Sequence, residues 1–209
     1  MLGKGGVLQL LYNEYSLPEE FLKVYSGRYE PSISFINKII DRKNLNISDE
    51  FYVSHLTINE LFSTVRDELR SIILFNKGIP ISMWRNPRFD PEISDDIYQA
   101  VYQKMLQAFI PLFEESVIEL MVEQSPQNPN YWDVCSSILF LIKEAKTHDA
   151  TLLTSAILDD ADYFVTLDSS LIKNAKKLLK EKYELELVNP KTAMGYINRT
   201  MKKNVLPKK

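Results

Sequence analysis

Lys146-Thr147-His148-Asp149-Ala150, running on to Tyr163-Phe164-Val165-Thr166-Leu167-Asp168, carries more structural information than any other part of this chain. Thr147 and Asp149 open a helical pattern, Tyr163–Thr166 is a short apolar strand, and Asp168 stands just beyond it. The two aspartates are 19 residues apart, the length of one helix, a turn and one strand. In a parallel α/β unit that path returns the chain to the same edge of the sheet. The two acids are therefore expected side by side outside the carboxyl ends of the strands, where such folds place their sites. Paired carboxylates with few nearby imidazoles or thiols suit hard divalent cations, Mg²⁺ or Mn²⁺.

Outward from this stretch the pattern alternates. Trp132–Lys146 reads as a helix with an apolar stripe at Val134, Ile138, Leu141, Ile142 and Ala145. A helix over Asp149–Asp159, a strand over Tyr163–Thr166, a helix over Ser169–Lys182 and a strand over Leu185–Val188 follow, with a last helix after Pro190. Strands alternating with helices predict an α/β fold with a parallel sheet covered on both faces. Upstream, Val7–Tyr15, Pro18–Tyr25 and Ser32–Asp41 read as helices, and Phe51-Tyr52-Val53 as a strand. From Thr57 a periodic helix places Ile58, Leu61, Phe62, Val65, Leu69, Ile72 and Ile73 on one face.

Residues 76–131 break this rhythm with Pro80, Pro87, Pro91, Pro126 and Pro129. Helices are expected at Ile93–Phe109 and Pro111–Glu123, and the segment reads as a helical insertion within a single domain spanning 1–209. Residues 199–209 form a basic tail.

The chain has 209 residues, enough for one sizeable core, and a net charge of −3. Polyanion binding must then rest on local basic patches or on a metal. A single cysteine, Cys135, excludes an intrachain disulfide and fits a reducing cytoplasm; on an amphipathic helix it reads as a small core residue. No apolar run is long enough for a membrane span, so no membrane partner is expected. With His55 and His148 the only histidines, a zinc site of several imidazoles is excluded. Gly3-Lys4-Gly5-Gly6 lacks the spacing of a phosphate loop.

Each candidate acid also has a plainer explanation. Thr57-Ile58-Asn59-Glu60 matches a capping box. Asp149 falls in a first helical turn, where the helix dipole favours a negative charge. Asp168 precedes a helix and can be its N-cap. Asp159, Asp160 and Asp162 read as helix-end and turn residues.

The run His148-Asp149-Ala150-Thr151-Leu152-Leu153-Thr154-Ser155-Ala156, followed by Ala161-Asp162-Tyr163-Phe164-Val165-Thr166-Leu167-Asp168, resembles the PIN-domain family of metal-dependent nucleases. The resemblance lies in an Asp-Ala helix opening, small helical residues, an Ala-Asp turn, an apolar strand and Thr-x-Asp. Phe51–Leu61, carrying Glu60, resembles the family's second acidic position, and Leu185–Val188 with Asn189-Pro190 its last strand. The resemblance implies a three-layer α/β/α fold with a central parallel sheet, here with the helical insertion. It implies an endoribonuclease in which Glu60, Asp149 and Asp168 are catalytic metal ligands for Mg²⁺ or Mn²⁺, with Thr166 in support.

The family's first strand ends in an aspartate, and here roughly Lys4 stands in that place. Either the sequence begins late or the protein has lost that acid. The second case predicts a catalytically inactive PIN-like module that binds RNA or a protein partner. Lys173 and Lys177, with Lys176 and Lys180, read either as a solvated helix face or as a phosphate-backbone track beside Asp168. Arg85 and Arg88, near Trp84 and Phe89, are candidates for gripping single-stranded RNA by charge and stacking. A homodimer and an inhibitory protein partner are compatible with this reading.

Overall fold

The structure, a computed structural model, describes residues 13–16, 19–43, 49–121, 124, 126–143 and 145–205. They divide into two compact units: the described part of Met1–Ser34 with Thr57–Glu119, and the described part of Phe35–Leu56 with Leu120–Lys209. Helices dominate both. Residues 76–119 of the expected insertion fall in the first unit and 120–131 in the second.

The elements in chain order are α1 (Glu19–Lys43), β1 (Tyr52–Ser54), α2 (His55–Asn76), α3 (Asp95–Glu114), β2 (Glu119–Met121) and α4 (Tyr131–Leu141). They continue with α5 (Thr147–Leu158), β3 (Tyr163–Val165), α6 (Ser169–Tyr183), β4 (Glu186–Val188) and α7 (Pro190–Val205). The four strands form two separate pairs, β1 with β2 and β3 with β4. The α/β character is thus present in its coarse form, with two small sheets rather than one continuous sheet among the described residues.

Several boundaries differ from the sequence expectation. Pro31 lies inside α1, so one helix covers two of the expected ones. Pro111 likewise lies inside α3, which runs on to Glu114. A proline removes one backbone donor and kinks a helix, but tertiary packing can carry the helix through it. The helix expected over Pro111–Glu123 is therefore absent: its first part belongs to α3, and Glu119–Met121 is strand. The Val7–Tyr15 helix falls largely outside the described residues; 13–15 are helical. α4 stops at Leu141, where Ile142 turns to an extended conformation.

The first unit is built on α2 and α3. Val65, Leu69, Ile72 and Ile73 recur at helical spacing on α2 and bury against Val101 and Met105 of α3. Between the two helices lie short 3-10 turns at Ile81–Met83 and Pro87–Phe89.

The second unit is where the alternating pattern is realised. β3 and β4 pair in parallel with Tyr163 opposite Glu186, Phe164 opposite Leu187 and Val165 opposite Val188. The Thr166 backbone N–H donating to the Val188 carbonyl and that of Glu186 donating to the Asp162 carbonyl, each at 3.0 Å, extend the ladder at both ends. Parallel strands need a crossover, and α6 supplies it. Its Leu171, Ala175 and Leu179, spaced by four, are buried with Ala150, Leu153 and Ala156 of α5, Tyr131, Cys135 and Ile138 of α4, and Leu185 and Leu187 at β4. Small residues on α5 let its backbone pack closely on this cluster. No helix among the described residues is long and apolar enough to cross a membrane.

Candidate functional site

Because β3 and β4 are parallel and in register, their carboxyl ends define one edge of the pair, and both following helices start there. Asp168 is the N-cap of α6: the Ser170 and Leu171 backbone N–H groups donate to its Oδ1 at 2.8 and 2.9 Å. These are two of the four donors that a helix start leaves without an intrahelical partner. Thr166, half-buried, accepts the Asp168 backbone N–H on its Oγ1 at 3.1 Å and so fixes the turn that aims this carboxylate. Asn189 does for α7 what Asp168 does for α6, its Oδ1 accepting the Thr192 backbone N–H at 2.8 Å with Pro190 as the first helical residue. The sequence signal for this second cap is the Asn-Pro pair itself.

Asp149 is the third residue of α5. Its Oδ2 accepts the backbone N–H of Lys146, the N-cap, at 2.9 Å. That is one half of a capping box; the other half is absent because a lysine ammonium has no acceptor. The second oxygen, Oδ1, lies 3.6 Å from His148 Nε2. α5 ends in a tight reversal, with Asp160 at φ 53 and the Ala161 N–H donating to the Ala156 carbonyl at 2.9 Å. The turn roles expected for Asp159 and Asp160 are seen here. Asp159 also accepts from the Gln124 side chain, and the buried Ser155 hydroxyl accepts the Gln124 backbone N–H at 3.0 Å.

Glu60 belongs to the first unit, whereas Asp149, Thr166 and Asp168 belong to the second. α2 begins at His55, two residues before Thr57, which places Thr57 inside the first turn and Glu60 in the second. The expected capping box is therefore not formed at this helix start: Thr57 is already helical, and an N-cap residue must be non-helical. Among the described residues no group of three or more His, Cys, Asp or Glu side chains comes together as a cation site.

The basic candidates sort unevenly. Lys176 and Lys180 approach Glu186 at 3.6 and 3.9 Å, and Tyr196 donates its hydroxyl to the same carboxylate at 3.0 Å. Glu186 starts β4, so this cluster lies at the amino edge of the strand pair, opposite the edge that bears Asp168 and Asn189. The phenol of Tyr163, in register with Glu186 and 5.1 Å ring to ring from Tyr196, is held above the usual tyrosine range by burial, then by Glu186, Asp162 and Asp49. Sequence reasoning missed this cluster because Glu186 alternates with apolar residues and reads as an ordinary strand position. Lys177 forms an exposed pair with Glu181 at 3.8 Å, and Lys173 is exposed nearer the start of α6. Arg85, in the turn between the two 3-10 segments, and Arg88, in the second of them, are exposed in the first unit. Beside them the Trp84 indole N–H donates to the Ile79 carbonyl at 2.8 Å, which ties that ring to its own loop. The expected tail contacts of residues 199–209 fall outside the described side chains.

No family model matches this sequence, and neither curated proteins nor solved structures give a match.

Proposed function

We propose that this chain is a PIN-type endoribonuclease that requires Mg²⁺ or Mn²⁺, with Asp149, Asp168 and Glu60 as the catalytic carboxylates. One observation carries the reading most: Asp168 stands at the carboxyl edge of a parallel strand pair, and Asp149 opens the helix that feeds the first of those strands. In this reading β3 and β4 are neighbours in a central parallel sheet between two helical layers, and the reversal at Asp160 brings the start of α5 back toward that edge.

Carboxylate oxygens are the ligand type that a hard cation prefers. Asp149 uses Oδ2 and Asp168 uses Oδ1 for backbone donors, so each keeps a second oxygen, and an ionised carboxylate has lone pairs enough for both duties. A bound cation would polarise a phosphodiester and lower the pKa of its water. The chain's own contribution is to hold Asp149 and Asp168 rigidly, since their caps fix each carboxylate on the helix it starts. Thr166 steadies the second of them. Arg85 and Arg88 supply positive charge for a single-stranded RNA, and Lys173 and Lys177 for its phosphates.

A second reading is a silent PIN-like module that binds RNA or a protein partner, including an inhibitory one. The observation that favours it is that helix capping alone accounts for both aspartates. Melting the folded chain in rising Mn²⁺ and assaying cleavage of a single-stranded RNA separate the two readings. The nuclease reading expects the melting temperature to rise with Mn²⁺. It also expects metal-dependent cleavage that Asp149→Asn reduces more than about 100-fold at unchanged helical content. A melting temperature indifferent to millimolar Mn²⁺, or cleavage that persists in Asp149→Asn, eliminates it.

A further inference from the structure

Lys173, Lys176, Lys177 and Lys180 of α6 are all exposed, and each lies three or four residues from two of the others. Like charges at that spacing repel and cost a helix stability, and none of the four fills the core. What each ammonium touches divides the array in two.

Lys176 and Lys180 approach Glu186, whose side chain is only 19% exposed and also accepts the Tyr196 hydroxyl. Half their charge is offset there, and both ammonium groups are drawn toward the amino edge of the strand pair. Lys173 and Lys177 are placed differently. Lys173 is midway between the buried Leu171 and Ala175, and Lys177 midway between the buried Ala175 and Leu179. Two residues are more than half a helical turn, so both lysines lie on the side of α6 turned away from the core. Lys173 has no ion pair among the described residues. Lys177 meets Glu181 at 3.8 Å with its own side chain 87% exposed, a contact that water and salt largely screen.

α6 starts at the carboxyl edge, where Asp168 caps it, and its axis leads away from that edge. Lys173 stands about 8 Å beyond Asp168 along that axis, and Lys177 about 6 Å further. The second step matches the distance between successive phosphates of an extended single strand. The next position in the row, Glu181, is exposed and acidic and closes it. We infer that Lys173 and Lys177 form a two-phosphate rail that lays one RNA strand along α6, from Asp168 to Glu181. This deepens the ribonuclease reading and rests on it: the strand runs past the acids on the α6 side for two nucleotides. Phosphates rather than bases are held there, so the grip is indifferent to sequence.

Fluorescence anisotropy of a labelled single-stranded RNA of about 12 nucleotides, titrated with the full chain and EDTA from about 50 to 200 mM salt, tests the rail without metal or cleavage. Lys173→Ala and Lys177→Ala should each weaken binding about fivefold at the lowest salt and lower the salt slope by about 0.7. Lys176→Ala and Lys180→Ala remove the same charge from the same helix, yet should change affinity less than about twofold, because Glu186 holds those ammonium groups. Glu181→Lys should lengthen the rail by one step, tightening binding about fivefold and raising the slope by about 0.7. Single-stranded DNA of the same length should reproduce this pattern, since no ribose hydroxyl is touched. Equal losses from all four lysines would reduce the array to a diffuse positive field and overturn the rail. So would a pattern confined to RNA, no binding at the lowest salt, or Glu181→Lys binding no more tightly. Melting curves confirm that each variant folds, and should an alanine variant fail, Glu181→Lys decides alone. The ribonuclease reading falls separately: this binding pattern without Mn²⁺-dependent cleavage leaves the rail and removes the enzyme. Cleavage that needs Asp149 while binding ignores Lys173 and Lys177 removes the rail and leaves the enzyme.

Discussion

In the second unit the acids of interest stand at helix starts, whereas in the first unit Glu60 stands one turn inside its helix. Asp168 and Asp149 each accept backbone N–H groups that their helices would otherwise leave unmet. Glu60 sits past the first turn of α2, beyond the positions that an N-cap and its capping-box partner take. The same residue type therefore carries different constraints. At Asp149 and Asp168 folding and any chemistry share one carboxylate, so a loss of activity on mutation says little until stability is measured. At Glu60 capping offers no explanation for the acid. The contrast gives Glu60 the sharper diagnostic value in the nuclease reading, although Asp149 and Asp168 carry the clearer motif.

The largest effect that can sharpen this comparison lies beneath the caps. Leu153 is fully buried in the cluster that holds α5 and α6 against β4, and Leu153→Ala should cost about 3 kcal/mol in urea unfolding. A cost below about 1 kcal/mol would mean that these helices are not held by a close-packed core, and that the caps alone position the two acids.

Next in size are the caps themselves. Asp168→Ala removes the acceptor of two backbone donors and should destabilise by about 1–2 kcal/mol, while Asp168→Asn should stay within about 0.5 kcal/mol of wild type because asparagine caps as well as aspartate does. Asp149→Ala should fall lower, near 0.5–1 kcal/mol, since a single backbone donor is lost. If the carboxylates also bind a cation, Asp168→Asn and Glu60→Gln should both abolish the Mn²⁺-induced rise in melting temperature at little intrinsic cost for the former. Retention of the full rise in both variants would remove the cation reading and leave helix capping as the account of Asp149 and Asp168.

Much of the second unit was legible in advance because local and long-range signals agree there. Leu171, Ala175 and Leu179 repeat at helical spacing, Asp168 and Asn189 announce helix starts, and Tyr163–Val165 is short, apolar and bounded by turn residues. In the first unit the local signals misled. Helices are expected to start at Ser32 and at Pro111, but Pro31 and Pro111 lie inside α1 and α3, since packing elsewhere offsets one missing hydrogen bond. Thr57 with Glu60 read as a cap, yet Ser54 ends β1 and His55 already begins α2, a boundary set by the strand rather than by the capping pair. For the site, the placement of Asp149 and Asp168 at helix starts could be read from spacing. The Glu186 cluster could not, because it depends on strand register and on lysines that α6 returns to the opposite edge.

The smallest expected effect concerns an acid with neither a cap nor a catalytic assignment. Glu68, on α2 of the first unit, accepts the Tyr29 hydroxyl at 3.2 Å, and partial burial holds its carboxyl above the usual range. Its neutral form is thus favoured in the folded chain. A group whose folded pKa is raised contributes stability that is fully present below its unfolded pKa, and loses it as pH rises through the folded value. Glu68→Gln keeps an acceptor for Tyr29 and removes the charge, so it should match wild type near pH 4 and melt higher at pH 7, by about 1–2 °C. Because Glu68 is only partly buried, solvent screening keeps the difference small. Melting both proteins from pH 4 to pH 7 checks the sign: a variant that instead loses ground as pH rises would mean that ionised Glu68 is favourably paired in the fold. Its carboxylate would then resemble Asp149 and Asp168 in serving the structure as an anion.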